Sequence, residues 1–140
     1  MAASSEQDPS VLDGVPYFTD VGPDERRRIL ALSSPREVAA GELLLDQGDT
    51  AVECFLVLSG SVSVYVRGEY VASIGPGSMV GEMALVDHRP RTAAVVADQP
   101  TRLLAFRTKE FRTLLDEMPR ASEHILAELQ ERLDRSDRDE

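Results

Sequence analysis

The 140 residues suit one domain, and at 42% hydrophobic they can bury an ordinary core without cross-links. A net charge of −10, from 25 acidic and 15 basic residues, argues against nonspecific binding to nucleic acid or an anionic membrane, since both require a basic surface. The lone cysteine, Cys54, excludes an internal disulfide framework, and no apolar run approaches the roughly 20 residues of a membrane helix.

Met1 to Pro9 is short, polar and acidic, unlike a signal peptide; residues 1–10 are expected to be disordered and the chain cytoplasmic. Val11 to Phe18 sets apolar residues around Pro16. Gly22-Pro23-Asp24-Glu25 reads as a helix start, with a proline suited to the first turn and two acids at the positive end of the dipole. That helix is predicted to run to about Ser33, with Ile29, Leu30 and Leu32 facing inward.

Pro35 marks a break, after which the pattern changes to short apolar runs. The runs are 37–39, 43–45, Glu53–Leu58, Ser61–Val66, Tyr70–Ile74, Ala93–Ala97 and Thr101–Phe106, with Val62, Val64 and Val66 on one strand face. Turn residues separate them at Gln47-Gly48-Asp49, Ser59-Gly60, Arg67-Gly68-Glu69, Gly75-Pro76-Gly77 and Asp98-Gln99-Pro100. Cys54, inside the run Cys54-Phe55-Leu56-Val57-Leu58, is expected to be buried. Helical spacing returns after Thr108, a plausible N-cap, with Phe111, Leu114 and Leu115 as the stripe. Pro119 interrupts. A final helix is predicted from about Arg120 to Arg135, with Ile125, Leu126, Leu129 and Leu133 on one side for core or dimer packing. The fold class is therefore mainly β with flanking helices: a jelly-roll-like antiparallel β-barrel, an N-terminal helix and C-terminal helices. Its expected domain is 11–135, with the barrel at about 36–107, the helices at about 108–135 and a frayed acidic tail at 136–140.

The chemistry is concentrated in Gly77 to Val95, which interrupts the strands and is too long for a hairpin turn. Gly81 permits close backbone approach or a positive φ. Glu82 to Leu85 fits one helical turn, whose free N–H groups favour an anion. Arg91 offers a planar cationic fork suited to phosphate oxygens, and Glu82 an acceptor suited to sugar hydroxyls. Donors for phosphate beside an acceptor for ribose describe a nucleotide. Taken alone, Glu82 and Arg91 read first as an ordinary surface ion pair, since such pairs are common. Arg89 reads as a solvated loop arginine, with a second phosphate contact as the alternative. His88 and His124 are the only histidines, one in a loop and one on a helix, too few and too dispersed for a metal site.

Gly81-Glu82-x-Ala84-Leu85 followed by Pro90-Arg91-Thr92-Ala93 resembles the phosphate-binding cassette of cyclic nucleotide-binding domains. That family includes the catabolite activator proteins and the regulatory subunits of cyclic-nucleotide-dependent kinases. Gly41, Gly48, Gly60 and Gly77 stand where the family turns its strands, and the resemblance covers about Val15 to Leu133. It implies that Glu82 accepts from the ribose 2′-hydroxyl and that Arg91 pairs with the cyclic phosphate. Backbone N–H groups near Met83, Ala84 and Ala93 complete the cradle, with Gly81 at its start. Thr92 adds a hydroxyl at the phosphate and base edge, and Val80 and the Val62/Val64 region give apolar contact.

The resemblance implies a sensor rather than an enzyme, without a cofactor. Its ligand is cyclic AMP first; cyclic GMP stays open because Thr92 can bond a guanine amino group. Occupancy would move the C-terminal helix against a partner protein or a second copy. A stand-alone sensor and a part of a longer protein both fit. No DNA contact is expected, because a helix-turn-helix reader needs several tens of further, basic residues, and no membrane contact is expected either. Two other classes remain: a nucleotide-independent interaction module of the same fold, and a phosphodiesterase, for which no nucleophile–base set is visible.

Overall fold

The computed structural model describes residues 9–19, 21–50, 52–81 and 93–138. Two short 3-10 turns, Pro9–Leu12 and Pro16–Phe18, lead into helix α1 (Pro23–Ala31). Eight strands follow: β1 (Ser34–Val38), β2 (Leu43–Leu45), β3 (Glu53–Ser59), β4 (Val62–Val66), β5 (Glu69–Ile74), β6 (Met79–Val80), β7 (Ala94–Ala97) and β8 (Thr101–Arg107). Helices α2 (Thr108–Glu117) and α3 (Pro119–Arg138) complete the described chain. The strands form two antiparallel four-stranded sheets, ordered β1-β8-β3-β6 and β2-β7-β4-β5, in the jelly-roll-like arrangement expected.

The unbroken apolar runs of β3 and β8 are explained by two cores. Cys54 and Leu56 of β3 and Leu104 and Phe106 of β8 pack in one cluster with residues of all three helices. The alternate residues Phe55, Val57, Leu103 and Ala105 join a second cluster with Val62, Val95 and Ala97 of the other sheet. A strand with period-2 side chains and apolar partners on both faces has no polar face to show. Strand β6 divides in the same way: Met79 belongs to the helical cluster and Val80 to the intersheet cluster.

Four local features differ from the sequence reading. Pro35 lies within β1, opposite Leu104. β1 is an edge strand, the place in a sheet where a proline is tolerated. Residues 79 and 80, read as part of the loop, pair with Leu56 and Phe55 as β6. Thr108 is not the N-cap of α2; Arg107 holds that place without a side-chain bond, and the Thr108 hydroxyl donates to the Val52 carbonyl at 3.3 Å. On α3, Ile125 is buried but Leu126 is 42% exposed, so the two do not share a face. The side chains of Leu129 and Leu133 lie outside the described set. As expected, Cys54 is fully buried.

The turns follow their residue types. Arg67 and Gly68 both have positive φ, 53° and 80°, which suits the right-handed twist of the two-residue β4–β5 hairpin. Gly60, at φ 89°, is irreplaceable for a second reason: an added Cβ would stand 2.4 Å from Thr101 Oγ1 and 2.7 Å from the Pro100 carbonyl oxygen.

Candidate functional site

Of the segment singled out by sequence, Gly77 to Val95, the part between the strands, residues 81–93, runs from the edge of one sheet to the interior of the other. It leaves β6, which pairs with β3, and enters β7, which lies between β2 and β4. Gly81 stands at its start with φ 85°, the left-handed region that glycine alone enters without strain. Ala93, half-buried, stands at its end and passes directly into Ala94, opposite Tyr65. Glu82, Met83, Ala84, His88, Arg89, Arg91 and Thr92 lie outside the described residues.

The described frame is apolar. Val62 and Val80 share the intersheet core, and the half-buried Val64 packs against it beside Leu44 and Ile74. Val62, Val64 and Val80, the three apolar residues implied by the resemblance, are thus brought together by the fold. Val95, two residues past Ala93, faces the same interior. Such a floor is apolar enough to take the flat face of an aromatic ring. Among the described residues no group of three or more His, Cys, Asp or Glu is arranged for a metal, and His124 is exposed.

Contacts beyond that segment tie the helices to one another and to the strands, and sequence reasoning missed them. Arg28 of α1 grips Glu117 of α2 through two bonds of 2.9 Å each. The guanidinium hydrogen bond holds the Glu117 carboxyl below its ordinary value and, reciprocally, raises Arg28. Tyr17 accepts a hydrogen bond from the Met79 amide at 3.2 Å and donates one to Glu128 of α3 at 2.5 Å. Neither pairing has a local signature, since the partners stand 89 and 111 residues apart. What the sequence does offer is Tyr17 within the apolar 15–18 run, where a buried phenol needs a partner.

Helix α2 ends at Met118, whose backbone (φ −127°, ψ 79°) leaves helical space before α3 begins at Pro119. Beside this junction a cavity of about 310 Å³ is lined by Val21, Glu25, Met118, Pro119, Arg120 and Ala121.

The family model for the cyclic nucleotide-binding domain matches residues 35–118, which takes in the whole segment from Gly81 to Ala93, and the chain belongs to that family. It is 31% identical over 131 residues to the cyclic AMP receptor protein of Thermus thermophilus, covering 90% of this chain and 61% of that protein. It is 36% identical over 107 residues to the Pycsar effector protein XpPycTIR of Xanthomonas perforans, covering 76% of this chain and 35% of that protein. The chain thus spans between about a third and three fifths of the length of these relatives. In fold it is similar to the regulatory subunit of a cAMP-independent protein kinase A from Trypanosoma brucei. The TM-score is 0.80 at 20% identity, over 91% of this chain and 46% of that one. No helix among the described residues is long and apolar enough to cross a membrane.

Proposed function

We propose that the chain is a regulatory module that binds a cyclic nucleotide in the segment between β6 and β7, with cyclic AMP as the first ligand and cyclic GMP as the second. The observation that carries the reading is the dense motif Gly81-Glu82-x-Ala84-Leu85 with Pro90-Arg91-Thr92-Ala93 inside the region matched by the family model. Arg91 would pair with the cyclic phosphate, aided by backbone N–H groups at Met83, Ala84 and Ala93. Glu82 would accept from the ribose, and Thr92 would meet the phosphate or the base edge. The glycine conformation at Gly81 and the apolar floor of Val62, Val64 and Val80 support this assignment.

The output we assign to α3. Of its described side chains only Ala121 and Ile125 are buried in the core. The helix break at Met118 and the adjoining cavity leave room for it to swing. A ligand shifts such an equilibrium only by its differential affinity for the two placements. The moving helix would act on a partner protein or a second copy; catalysis is assigned no part.

Calorimetric titration of the chain with cyclic AMP and cyclic GMP tests the reading, with nucleotide hydrolysis followed in parallel. Saturable binding without turnover is expected. No binding of either nucleotide would overturn it in favour of a nucleotide-independent interaction module. Turnover would instead make the chain a phosphodiesterase.

A further inference from the structure

The 81–93 segment and α3 are remote in sequence, and a signal between them needs a physical path. One runs through Tyr17, which is 4% exposed on the 3-10 turn Pro16–Phe18. Its oxygen accepts the Met79 amide at 3.2 Å, and its O–H donates to Glu128 Oε2 at 2.5 Å. The strand leading into Gly81 and the C-terminal helix therefore share one hydroxyl. The order of donors is consistent throughout, amide to phenol to carboxylate, so each bond polarises the next in the same sense.

The surroundings make this hydroxyl hard to bypass. The phenol ring is set edge-on to Phe18, with centroids 6.1 Å apart. The turn that carries it lies tight against the start of the same strand segment: a Cβ on Gly77 would stand 3.3 Å from Pro16 Cδ and 3.6 Å from the Gly14 carbonyl oxygen. Tyr17, Phe18, Met79, Ala121 and Ile125 belong to a single buried cluster. A displacement of α3 therefore removes the acceptor of a buried phenol whose oxygen holds Met79, two residues before Gly81. Losing that bond from a buried hydroxyl is costly.

We propose that Tyr17 is a positioning residue: the relay Met79–Tyr17–Glu128 couples the placement of α3 to the backbone conformation at 79–81. Through that conformation it sets nucleotide affinity, a last step that rests on the proposed binding at the 81–93 segment. By linkage the coupling is reciprocal, so whatever fixes the backbone at residue 81 also biases α3.

The test is a mutant cycle on the full chain, with hydrogen exchange read at the Met79 amide and along α3 for Tyr17→Phe, Glu128→Ala, Glu128→Gln and the Tyr17→Phe/Glu128→Ala pair. Without ligand, Glu128→Ala is expected to speed exchange at Met79 by roughly fivefold or more, although it lies on another element. Glu128→Gln, which keeps an acceptor, should stay near wild type, an outcome that loss of bulk or charge alone would not give. In the Tyr17→Phe background Glu128→Ala should add nothing. With cyclic AMP, Tyr17→Phe and Glu128→Ala should each change affinity by roughly fivefold, and the pair by no more than either alone. Additive effects, or a Met79 amide indifferent to Glu128, would overturn the relay. Should Tyr17→Phe fail to fold, the Ala and Gln variants at 128 still decide it. If the wild type binds neither nucleotide, the binding reading fails while the ligand-free cycle still judges the relay. If it binds and the cycle is additive, the relay fails and the binding reading stands.

Discussion

Gly81→Ala is the sharpest probe of the site that the described geometry allows. Gly81 has φ 85°, and a residue with a Cβ in that region costs about 1–2 kcal/mol. Gly68, in the β4–β5 hairpin, has φ 80°, and an added Cβ there would meet nothing within 4 Å. Alanine at either position therefore carries nearly the same backbone strain. It also removes about 0.4–1 kcal/mol of freedom from the unfolded chain, so backbone strain by itself leaves a net loss of at most about 1.6 kcal/mol at each. The two variants should differ in binding. If the Gly81→Ala variant relieves its strain by rotating out of the left-handed region, a ligand must restore the glycine conformation. That weakens cyclic AMP by about 5- to 30-fold at 1.4 kcal/mol per tenfold. Gly68→Ala, on a hairpin outside the segment, should bind as the wild type does. Urea denaturation compares the stabilities and calorimetry the affinities. If both variants bind like wild type while losing similar stability, the left-handed backbone at Gly81 is a turn requirement and nothing more.

Arg91→Ala should weaken cyclic nucleotide binding by at least about a hundredfold, since charged hydrogen bonds contribute about 1.5–3 kcal/mol each and a bidentate pair is lost; unchanged calorimetric affinity in the folded variant removes Arg91 from the site. Glu82→Ala should cost affinity for cyclic AMP and little for its 2′-deoxy analogue, and equal losses with both ligands would refute the ribose assignment. The Arg28–Glu117 clasp gives a pH prediction: Glu117 has its folded value lowered, so its contribution is present above the ordinary 4.5 and lost as pH falls below it. The stability difference between wild type and Glu117→Gln should therefore be small at neutral pH, because the pair is exposed, smaller in high salt, and absent in acid. A difference that ignores both pH and salt in urea titrations would show that Glu117 acts through packing instead.

The sequence was most legible where the physics is local. Glycines at 41, 48, 60, 68 and 77 mark turns because each needs a positive φ, and that requirement is written in a single residue. The candidate segment drew notice for a related reason: its residue types state which ligand atoms they can meet, whatever the surrounding fold. Strand β6 was not, because two residues carry no period and Met79 and Val80 look alike as apolar side chains while serving different cores. The same ambiguity hid the double-sided burial of β3, where a helix segment and a strand packed on both faces read identically. Pro35 misled because its effect depends on whether the strand is an edge, which is a property of the sheet order and not of the neighbouring residues. Tyr17 and Glu128 needed the whole fold, since a contact spanning 111 residues leaves no spacing to find. The motif therefore bears on what the 81–93 segment can hold, whereas the proposed passing of occupancy to α3 would depend on β6 standing between the two cores. Met79 faces the helices there, beside Tyr17, while the adjacent Val80 faces the floor assigned to the base. In the proposed relay, a shift of that strand in either direction would be felt by both.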